Sequence, residues 1–385
     1  MNVTLAHLSL NFIGGEERLC LSFIDALKKS GHHVTLFTLE KTSWKEVKRF
    51  FGGVTMPDKE IFLTSSPIHS MFSKAFIPIY SYVKYLRGLA KLVSQREYDV
   101  VVNTYGDMFT SIADLSYVHF PINATFDYHQ IPAFSSSRVW KTYLQMYEIL
   151  SKIIDKVRPS FLLTNSKFTK YIIKQYLSRE ALVLHPPVDV KKYWNENIKR
   201  KNYVITVSKF TPKRNLHIIP LIAQLTKNVK FFIIGKADKY SLTTIKKLLQ
   251  YVKYCGVKDR VIPFYNIPES NLINLLSNAK IYLHTVPFEH FGISIVEAMA
   301  SGCIPLVHRS GGPWLDILNQ QQGKNGFSYA TVEEAAQLID TIMNNEDVYK
   351  AISMNARKRA TRYDVAVFQE KLNAMLKQMG GEKTR

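Results

Sequence analysis

The sequence predicts an α/β protein built from two doubly wound parallel sheets, one in each half of the chain. The chain has 385 residues, more than one typical core accommodates, so two domains of roughly 150–200 residues are expected. In both halves, short runs rich in Val, Ile, Leu and Phe alternate with longer segments of helical periodicity. This alternation is typical of parallel strands joined by crossover helices, so we expect two Rossmann-like domains.

The first strand-to-helix turn contains two adjacent glycines. Apolar residues 2–10 predict a strand, and Gly14 and Gly15 precede a helical pattern. Adjacent glycines let the backbone approach a ligand closely, although the G-x-G-x-x-G dinucleotide pattern is absent. A later short strand ends at His119, and ligands of doubly wound sheets bind at the carboxyl ends of strands. Gly14, Gly15 and His119 are therefore candidate site residues.

Residues 61–96 contain five Lys or Arg residues and no Asp or Glu. A helix is predicted within this segment from apolar residues at helical spacing, namely Ile79, Val83, Leu86, Ala90 and Val93. Lys84, Arg87 and Lys91 share its opposite face. Two interpretations are compatible: a helix packed on the sheet with its charges in water, and a basic face that contacts anionic lipid.

The predicted domain boundary lies close to residue 190. His185-Pro186-Pro187-Val188-Asp189 is a rigid segment set by two prolines. We therefore predict a first domain over 1–190 and a second over 191–364. The last helix and a polar tail cover 365–385.

The second half begins with a strand followed by a basic turn. Lys209, Lys213 and Arg214 lie within six residues, between the strand and an apolar-periodic helix. A solvated basic turn would explain them, but such a group of cations also suits a diphosphate.

Two carboxylates flank a short turn near residue 290. Glu289 lies on a predicted loop and Glu297 about one turn into the next helix, which ends at Gly302. The first turn of that helix directs bare N–H groups and the positive end of its dipole at the loop. This arrangement suits an anion with a hydroxyl-binding carboxylate on each side. A sugar nucleotide contains both kinds of group.

The complete string carries a family resemblance. Glu289-x7-Glu297, with Phe291-Gly292 between and Ala298-Met299-Ala300-Ser301-Gly302 after, resembles the donor-site motif of the retaining GT-B glycosyltransferases of family 4. The longer string, from Glu289 through His308 and Ser310-Gly311-Gly312-Pro313 to Asp316, resembles more narrowly the α-1,2-mannosyltransferases that extend lipid-linked oligosaccharides on the cytosolic face of the endoplasmic reticulum.

The resemblance covers nearly the whole chain and implies roles for individual residues. It implies a GT-B fold with a cleft between the two domains and a C-terminal helix that crosses back to the first. Lys209, Arg214 and the backbone near Phe291, Gly292 and Ile293 would bind the donor diphosphate, and Gly14-Gly15 resembles the family's glycine turn. Glu289 would hold hydroxyls of the donor sugar, Glu297 the ribose, and His119 would contact the sugar near the reacting carbon. The catalytic candidates are thus His119 and Glu289.

The sequence departs from the family pattern in its basic turn. The position of Lys209 is often Arg in the family, and that of Lys213 is often Glu. The chain has no Asp-x-Asp at a strand end, so we predict a metal-independent enzyme without a cofactor, whose donor substrate is a nucleotide-sugar. The resemblance also implies the family's front-face retaining mechanism.

The predicted function is transfer of mannose from GDP-mannose to a polyprenyl-linked glycan. A family 4 enzyme that uses a UDP-sugar for cell-surface or protein glycans is the alternative. A remoter one is a glycoside hydrolase with Glu289 and Glu297 as acid and nucleophile, which requires carboxyl groups about 5–9.5 Å apart.

The composition indicates the compartment and the partners. The net charge is +20, of which +6 (22 basic minus 16 acidic) lies in residues 1–190 and +14 (29 minus 15) in the remainder. The excess favours an anionic partner such as a membrane surface; no nucleic-acid motif is recognised, so no nucleic acid is expected. There are three distant cysteines, no apolar run of about 18 residues and no recognisable signal peptide. We expect a cytoplasmic protein, peripheral on the cytoplasmic face of a membrane.

Overall fold

A computed structural model describes residues 1–65, 79–95, 97–106, 112–129, 161–194, 200–238 and 240–383. The chain forms two compact units, the first over Met1–Pro187 with Ala366–Arg385 and the second over Val188–Val365. The predicted boundaries, at 190 and 364, lie close to these limits.

The sheet of the first unit contains seven parallel strands in the order β3-β2-β1-β4-β5-β6-β7. The order reverses between β1 and β4, which creates a crevice outside their carboxyl ends. The strands are β1 (Asn2–Ala6), β2 (His33–Glu40), β3 (Lys59–Thr64), β4 (Val100–Asn103), β5 (Leu115–Val118), β6 (Phe161–Thr164) and β7 (Leu182–Val183).

Helices cover both faces of this sheet. One apolar cluster joins α1 to β1, β2 and β4, and a second joins α3 to the other face of the same strands. The described helices are α1 (Gly15–Lys29), α2 (Trp44–Phe51), α3 (Ile79–Ser94), α4 (Thr125–His129) and α5 (Lys167–Leu177).

Helix α3 lies where the sequence predicts it, and its buried face is partly the predicted one. Leu86 and Val93 of the predicted face are partly buried against the core, whereas Ala90 is exposed. Tyr85, Leu89 and Leu92 are buried in the same cluster. The periodicity fixes the presence of the helix, and the bulky Tyr85 sets its rotation because it buries the larger area. Lys84, Arg87 and Lys91 are exposed as predicted; residues 66–78 and 96 of the basic segment lie outside the described residues.

The sheet of the second unit contains six parallel strands in the order β10-β9-β8-β11-β12-β13. This is the Rossmann order, with its reversal between β8 and β11. The strands are β8 (Lys201–Val207), β9 (Lys230–Gly235), β10 (Val261–Tyr265), β11 (Ala279–His284), β12 (Ile304–His308) and β13 (Phe327–Tyr329).

Two apolar clusters flank the second sheet, one on each face. Three helices follow Asp316, and the mixed polar surface of the middle one obscures its period in the sequence. The helices of this unit are α6 (Val190–Tyr193), α7 (Ile218–Leu225), α8 (Leu242–Tyr254), α9 (Glu269–Asn278), α10 (Ile293–Ser301), α11 (Val332–Asn344) and α12 (Glu346–Ala360), and Pro313–Ile317 forms one π-helical turn.

The last helix, α13 (Val365–Lys383), returns the chain to the first unit, as the resemblance implied. Phe368 packs edge-on against Phe23 of α1 with ring centroids 5.3 Å apart. Leu372 and Leu376 are buried in the same cluster, and the Asn373 amide donates to the Ser30 hydroxyl at 2.7 Å. None of the described helices is long and apolar enough to cross a membrane.

Candidate functional site

The basic turn lies at the carboxyl end of β8, beside the reversal point of the second sheet. Lys209 and Lys213 are exposed, and Arg214 is half-buried at the end of a single 3₁₀ turn, Pro212–Arg214. The Arg214 carbonyl accepts a hydrogen bond from the Thr285 hydroxyl at 2.6 Å, which fixes this turn to the segment that follows β11. The position of the turn was predicted from the sequence, but its hydrogen bond to Thr285 was not.

The structure brings Arg214 and Glu289 together. Arg214 Nη1 donates to Glu289 Oε2 at 2.6 Å. His284, at the carboxyl end of β11, places Nε2 3.3 Å from the same oxygen. The side chain of His284 is 6% exposed, that of Glu289 17% and that of Arg214 27%. Two groups that were assigned separately, to the diphosphate and to the sugar, are therefore one ion pair.

This ion pair keeps Glu289 in its carboxylate form. Burial by itself raises the pKa of Glu289, but the Arg214 guanidinium, followed by His284 and His290, outweighs burial and holds the pKa well below its usual range. The Arg214 Nε–H is buried and has no hydrogen-bond partner among the described residues. The guanidinium thus has a donor left for a second acceptor while Nη1 holds Glu289.

Helix α10 begins directly after this loop. Gly292 is its N-cap, with φ +92°, and a Cβ there would lie 2.5 Å from Ile295 Cδ1. Only glycine adopts this backbone without strain. In the described part of the chain, no side chain caps this helix, so its first N–H groups face the loop and favour an anion.

Gly311 and Gly312 pack directly against the backbone of the loop that carries Glu289. A Cβ at Gly311 would lie 2.4 Å from the Glu289 carbonyl, and one at Gly312 would lie 2.0 Å from the His290 carbonyl. The Gly312 N–H donates to the Glu289 carbonyl at 2.8 Å. Because the two backbones touch, this part of the motif is a packing requirement of the loop.

Ser310 accepts a hydrogen bond from the backbone of the same loop. The Phe288 N–H donates to Ser310 Oγ at 2.8 Å, and Ser310 Oγ lies 2.7 Å from His308 Nδ1. Burial is the main reason why the pKa of His308 is lowered, so the ring is neutral and accepts from the serine hydroxyl. Phe288 itself has φ +52°, a strained conformation of the kind that clusters at functional sites.

The remaining predicted donor residues lie on or beside α10. Glu297 is 7% exposed and lies one turn into the helix. Phe291 is 3% exposed and packs edge-on against Tyr363, with ring centroids 5.2 Å apart. Its side chain is part of the core, so Phe291 can offer a ligand only its backbone. Ile293 begins the helix and contributes its N–H in the same way.

In the first unit, Gly14 and Gly15 lie between β1 and α1. Neither glycine has a positive φ; the residue of this turn that does is Ile13, with φ +50°. Such a backbone is unusual for a β-branched residue. A Cβ at Gly15 would meet nothing within 4 Å. The glycine turn therefore leaves open space beside the backbone, and no packing contact accounts for Gly15.

His119 lies after β5 and is half-buried. Its Nε2 lies 3.1 Å from the Thr104 carbonyl, which can only accept, so Nε2 carries a proton. The Asn165 amide donates to the His119 carbonyl at 2.7 Å. Two neighbouring strand ends thereby fix the histidine.

Thr104 also connects His119 to a buried ion pair. The Thr104 hydroxyl lies 3.0 Å from His7 Nδ1, and His7 Nε2 lies 3.8 Å from Glu17 Oε1. Both charged side chains are 0% exposed. Burial lowers the pKa of His7, but the Cys20 sulfur and the Glu17 carboxylate outweigh it and raise the pKa to about 9.

Three residues of these sites, His7, Glu17 and His284, were not predicted from the sequence. His7 follows β1 and His284 ends β11, and the rule that selected His119, a histidine at the carboxyl end of a buried strand, would have selected both. Glu17 gives no such signal, because a glutamate in the first turn of a helix is normally solvated. Among the described residues, no group of three or more His, Cys, Asp or Glu is arranged to hold a metal ion.

Two family models match adjoining parts of the chain. Residues 191–359 match the glycosyl transferases group 1 model, and residues 13–192 match the glycosyltransferase family 4 model. A solved structure, HepE of Anabaena in complex with UDP, has a TM-score of 0.75 at 18% identity and covers 98% of this chain and 100% of its own. That likeness shows the fold.

Curated relatives are mannosyltransferases. The GDP-Man:Man(3)GlcNAc(2)-PP-Dol alpha-1,2-mannosyltransferase of Dictyostelium discoideum is 27% identical over 70% of this chain and 60% of its own length. An alpha-1,3/1,6-mannosyltransferase of the same organism is 23% identical over 98% of both chains. The chain spans 42–64% of the length of the alpha-1,2 relatives it matches. Since the two family models together account for residues 13–359, the chain belongs to the family 4 (group 1) glycosyltransferases and has their GT-B fold.

Proposed function

We propose that this protein transfers mannose from GDP-mannose to a lipid-linked glycan. The observation that carries the proposal is the Arg214–Glu289 pair at the reversal point of the second sheet, which combines an anion-binding guanidinium with a hydroxyl-binding carboxylate. The relatives named as mannosyltransferases support mannose as the sugar and a dolichyl-diphosphate glycan as the acceptor.

The donor diphosphate binds between Arg214, Lys209 and the amino end of α10. Arg214 serves both halves of the donor: Nη1 keeps Glu289 in place, and the exposed part of the guanidinium side chain attracts a phosphate oxygen. Glu289 accepts hydrogen bonds from sugar hydroxyls because its pKa is held low and it stays ionised. Glu297, one turn along α10, holds the ribose.

Catalysis in this proposal is electrostatic. As the bond from the sugar to the diphosphate breaks, negative charge grows on the leaving phosphate, and preorganised cations and N–H dipoles stabilise that charge. His119 contacts the sugar near the reacting carbon. The reaction retains the anomeric configuration, the leaving phosphate helps to deprotonate the acceptor, and no metal is required.

The ionised state of Glu289 argues against a glycoside hydrolase. A general acid must hold a proton near neutral pH, which requires a raised pKa. The Arg214 guanidinium acts in the opposite direction on Glu289. A UDP-sugar donor remains the second candidate, since the solved HepE structure contains UDP.

One incubation tests donor, acceptor and mechanism together. The protein is given GDP-mannose, UDP-glucose or UDP-N-acetylglucosamine, with a dolichyl-diphosphate Man(3)GlcNAc(2) acceptor and with or without EDTA. We expect product only from GDP-mannose, with an α-linkage by NMR and an unchanged rate in EDTA. Turnover of a UDP-sugar but not of GDP-mannose would overturn the donor, a β-linkage the retaining mechanism, and loss of activity in EDTA the metal independence.

We also propose that the protein works at the cytoplasmic face of a membrane, attached through α3. Lys84, Arg87 and Lys91 are exposed on that helix, and each basic residue near an anionic surface contributes about 1 kcal/mol. Co-sedimentation with vesicles should rise with anionic lipid, fall with salt and drop sharply in Lys84→Glu with Lys91→Glu. The matched control is Lys45→Glu with Lys48→Glu on the exposed side of α2. Equal sedimentation of both double variants would refute attachment through α3.

A further inference from the structure

A basic cavity lies at the end of the second sheet that is remote from the donor site. It has a volume of about 990 Å³ and is lined by the amino ends of β8 and β11, by residues of α12 and by Trp194. The donor loops leave the carboxyl ends of the same strands. A seven-residue strand such as β8 separates its two ends by about 20 Å, so the cavity is distinct from the donor site.

Half of the twelve described residues that line the cavity are cationic. These lining residues include six basic side chains and one carboxylate, that of Glu346. The local balance is therefore six minus one, or +5. The basic residues are Arg200, Lys201, Lys280, Lys350, Arg357 and Lys358.

Three of these cations have structural partners. Arg200 donates to the carbonyls of Leu276 and Ala279, and Arg357 donates to the Ser301 carbonyl at 3.1 Å, so the arginines close the carboxyl ends of α9 and α10. Lys280 is paired with Glu346 at 2.8 Å. Carbonyl groups satisfy hydrogen bonds of the guanidinium ions, but they do not remove the positive charge.

The other three cations have no partner of this kind. Lys201, Lys350 and Lys358 are exposed, and none of them forms an ion pair with a described carboxylate. Glu346 is bound to Lys280 and also lies close enough to Lys350 for that lysine to help lower the Glu346 pKa. One carboxylate cannot balance these charges, so the described lining residues keep an excess of positive charge. Cations that converge on one cavity without acidic partners attract a multiply charged anion.

The cavity also offers apolar surface. Trp194 is 39% exposed and Met354 68% exposed, and the Arg357 guanidinium lies over the Trp194 ring at 5.5 Å. A bare phosphate ion would leave most of the volume unfilled, whereas a phosphate attached to an organic group would occupy both kinds of surface. We propose that this cavity is a second anion site, which binds a phosphate-bearing molecule independently of the sugar donor.

Phosphate of this kind has two sources, a soluble phosphate ester or diphosphate and the headgroup of an anionic lipid. Both are recognised by the same charges. The soluble source is tested by calorimetric titration with inorganic pyrophosphate, and the lipid source by co-sedimentation with phosphatidylcholine vesicles that contain or lack phosphatidic acid.

The titrations are made on the Arg214→Ala protein, in which the donor site is weakened, and the vesicle assay on the Lys84→Glu with Lys91→Glu protein, in which the basic face of α3 is removed. Both backgrounds raise the share of the binding that comes from the cavity. Lys350→Glu with Lys358→Glu is the test variant, since both side chains are exposed and their replacement leaves the core unchanged. Lys246→Glu with Lys253→Glu on α8 is the control, with the same charge change on another exposed face of the unit.

We expect the test variant to weaken pyrophosphate binding, vesicle binding or both by at least tenfold, while the control changes either by less than twofold. Loss of pyrophosphate binding alone identifies a soluble ligand, and loss of vesicle binding alone identifies a lipid headgroup. No binding in either assay, or equal losses in the test and control variants, would overturn the proposal. None of these outcomes depends on whether the protein transfers mannose, which is measured separately.

Discussion

The reversal points of the two sheets carry similar groups in different surroundings. In the first unit, the end of β1 meets the end of β4 through His7, Glu17 and Thr104, and the charged side chains are 0% exposed. In the second, the ends of β8 and β11 meet through Arg214 and Glu289, which retain 27% and 17% exposure. The buried pair can only organise its neighbours, whereas the partly open pair can also bind a ligand.

The largest effect should come from breaking the buried pair. Glu17→Gln removes the carboxylate that compensates the buried His7 imidazolium, and loss of one partner of a buried ion pair costs about 3–5 kcal/mol of unfolding free energy. Urea unfolding measures this loss. The double variant Glu17→Gln with His7→Gln should recover part of the lost unfolding free energy. If the losses of the two single variants simply add in the double variant, the two residues are not coupled.

The pH dependence of stability gives a second, smaller effect. The pKa of His7 is raised to about 9 in the folded protein, against about 6.5 when the chain is unfolded. Its contribution is therefore complete below pH 6.5 and is lost as the pH rises through 9, which amounts to about 3 kcal/mol. Between pH 6.5 and 9, the free energy of unfolding of the wild type should fall by about 3 kcal/mol relative to that of His7→Gln. Parallel pH profiles would mean that His7 is neutral in the folded state.

In the second unit, truncation should affect the ligand more than the fold. Arg214→Ala removes both the partner of Glu289 and the buried Nε–H donor, and a charge-assisted contact contributes about 1.5–3 kcal/mol. We expect GDP affinity to fall tenfold or more. Lys209→Ala should have a smaller effect because Lys209 is exposed, and Lys213→Ala is the matched control. GDP affinity that is unchanged in both Arg214→Ala and Lys209→Ala would remove the donor-site assignment.

The finest comparison is between the two glutamates of one site. Glu289 lies on the loop and its contacts should tighten in the transition state, so Glu289→Gln should mainly lower kcat. Glu297 lies within α10 and should hold the ribose equally before and during reaction, so Glu297→Gln should mainly raise the donor KM. Steady-state kinetics decide between these roles, and the reverse pattern would exchange them.

Local pattern predicted much of this structure, and long-range pairing explains what it did not predict. Strands such as β9 and β10 and the stop of α10 at Gly302 were predictable because each depends on neighbouring residues. The rotation of α3 was not, since two apolar stripes compete on one helix. The Arg214–Glu289 bond joins residues 75 positions apart, and no spacing rule in the sequence specifies that their side chains meet.

The return of α13 to the first unit has a consequence for how the protein is made. A ribosome completes residues 1–187 early, yet the core that these residues form includes Phe368, Leu372 and Leu376 near the end of the chain. Part of the α1 surface therefore stays uncovered while the second unit is synthesised. Synthesis of α13 then covers this surface and completes the core of the first unit.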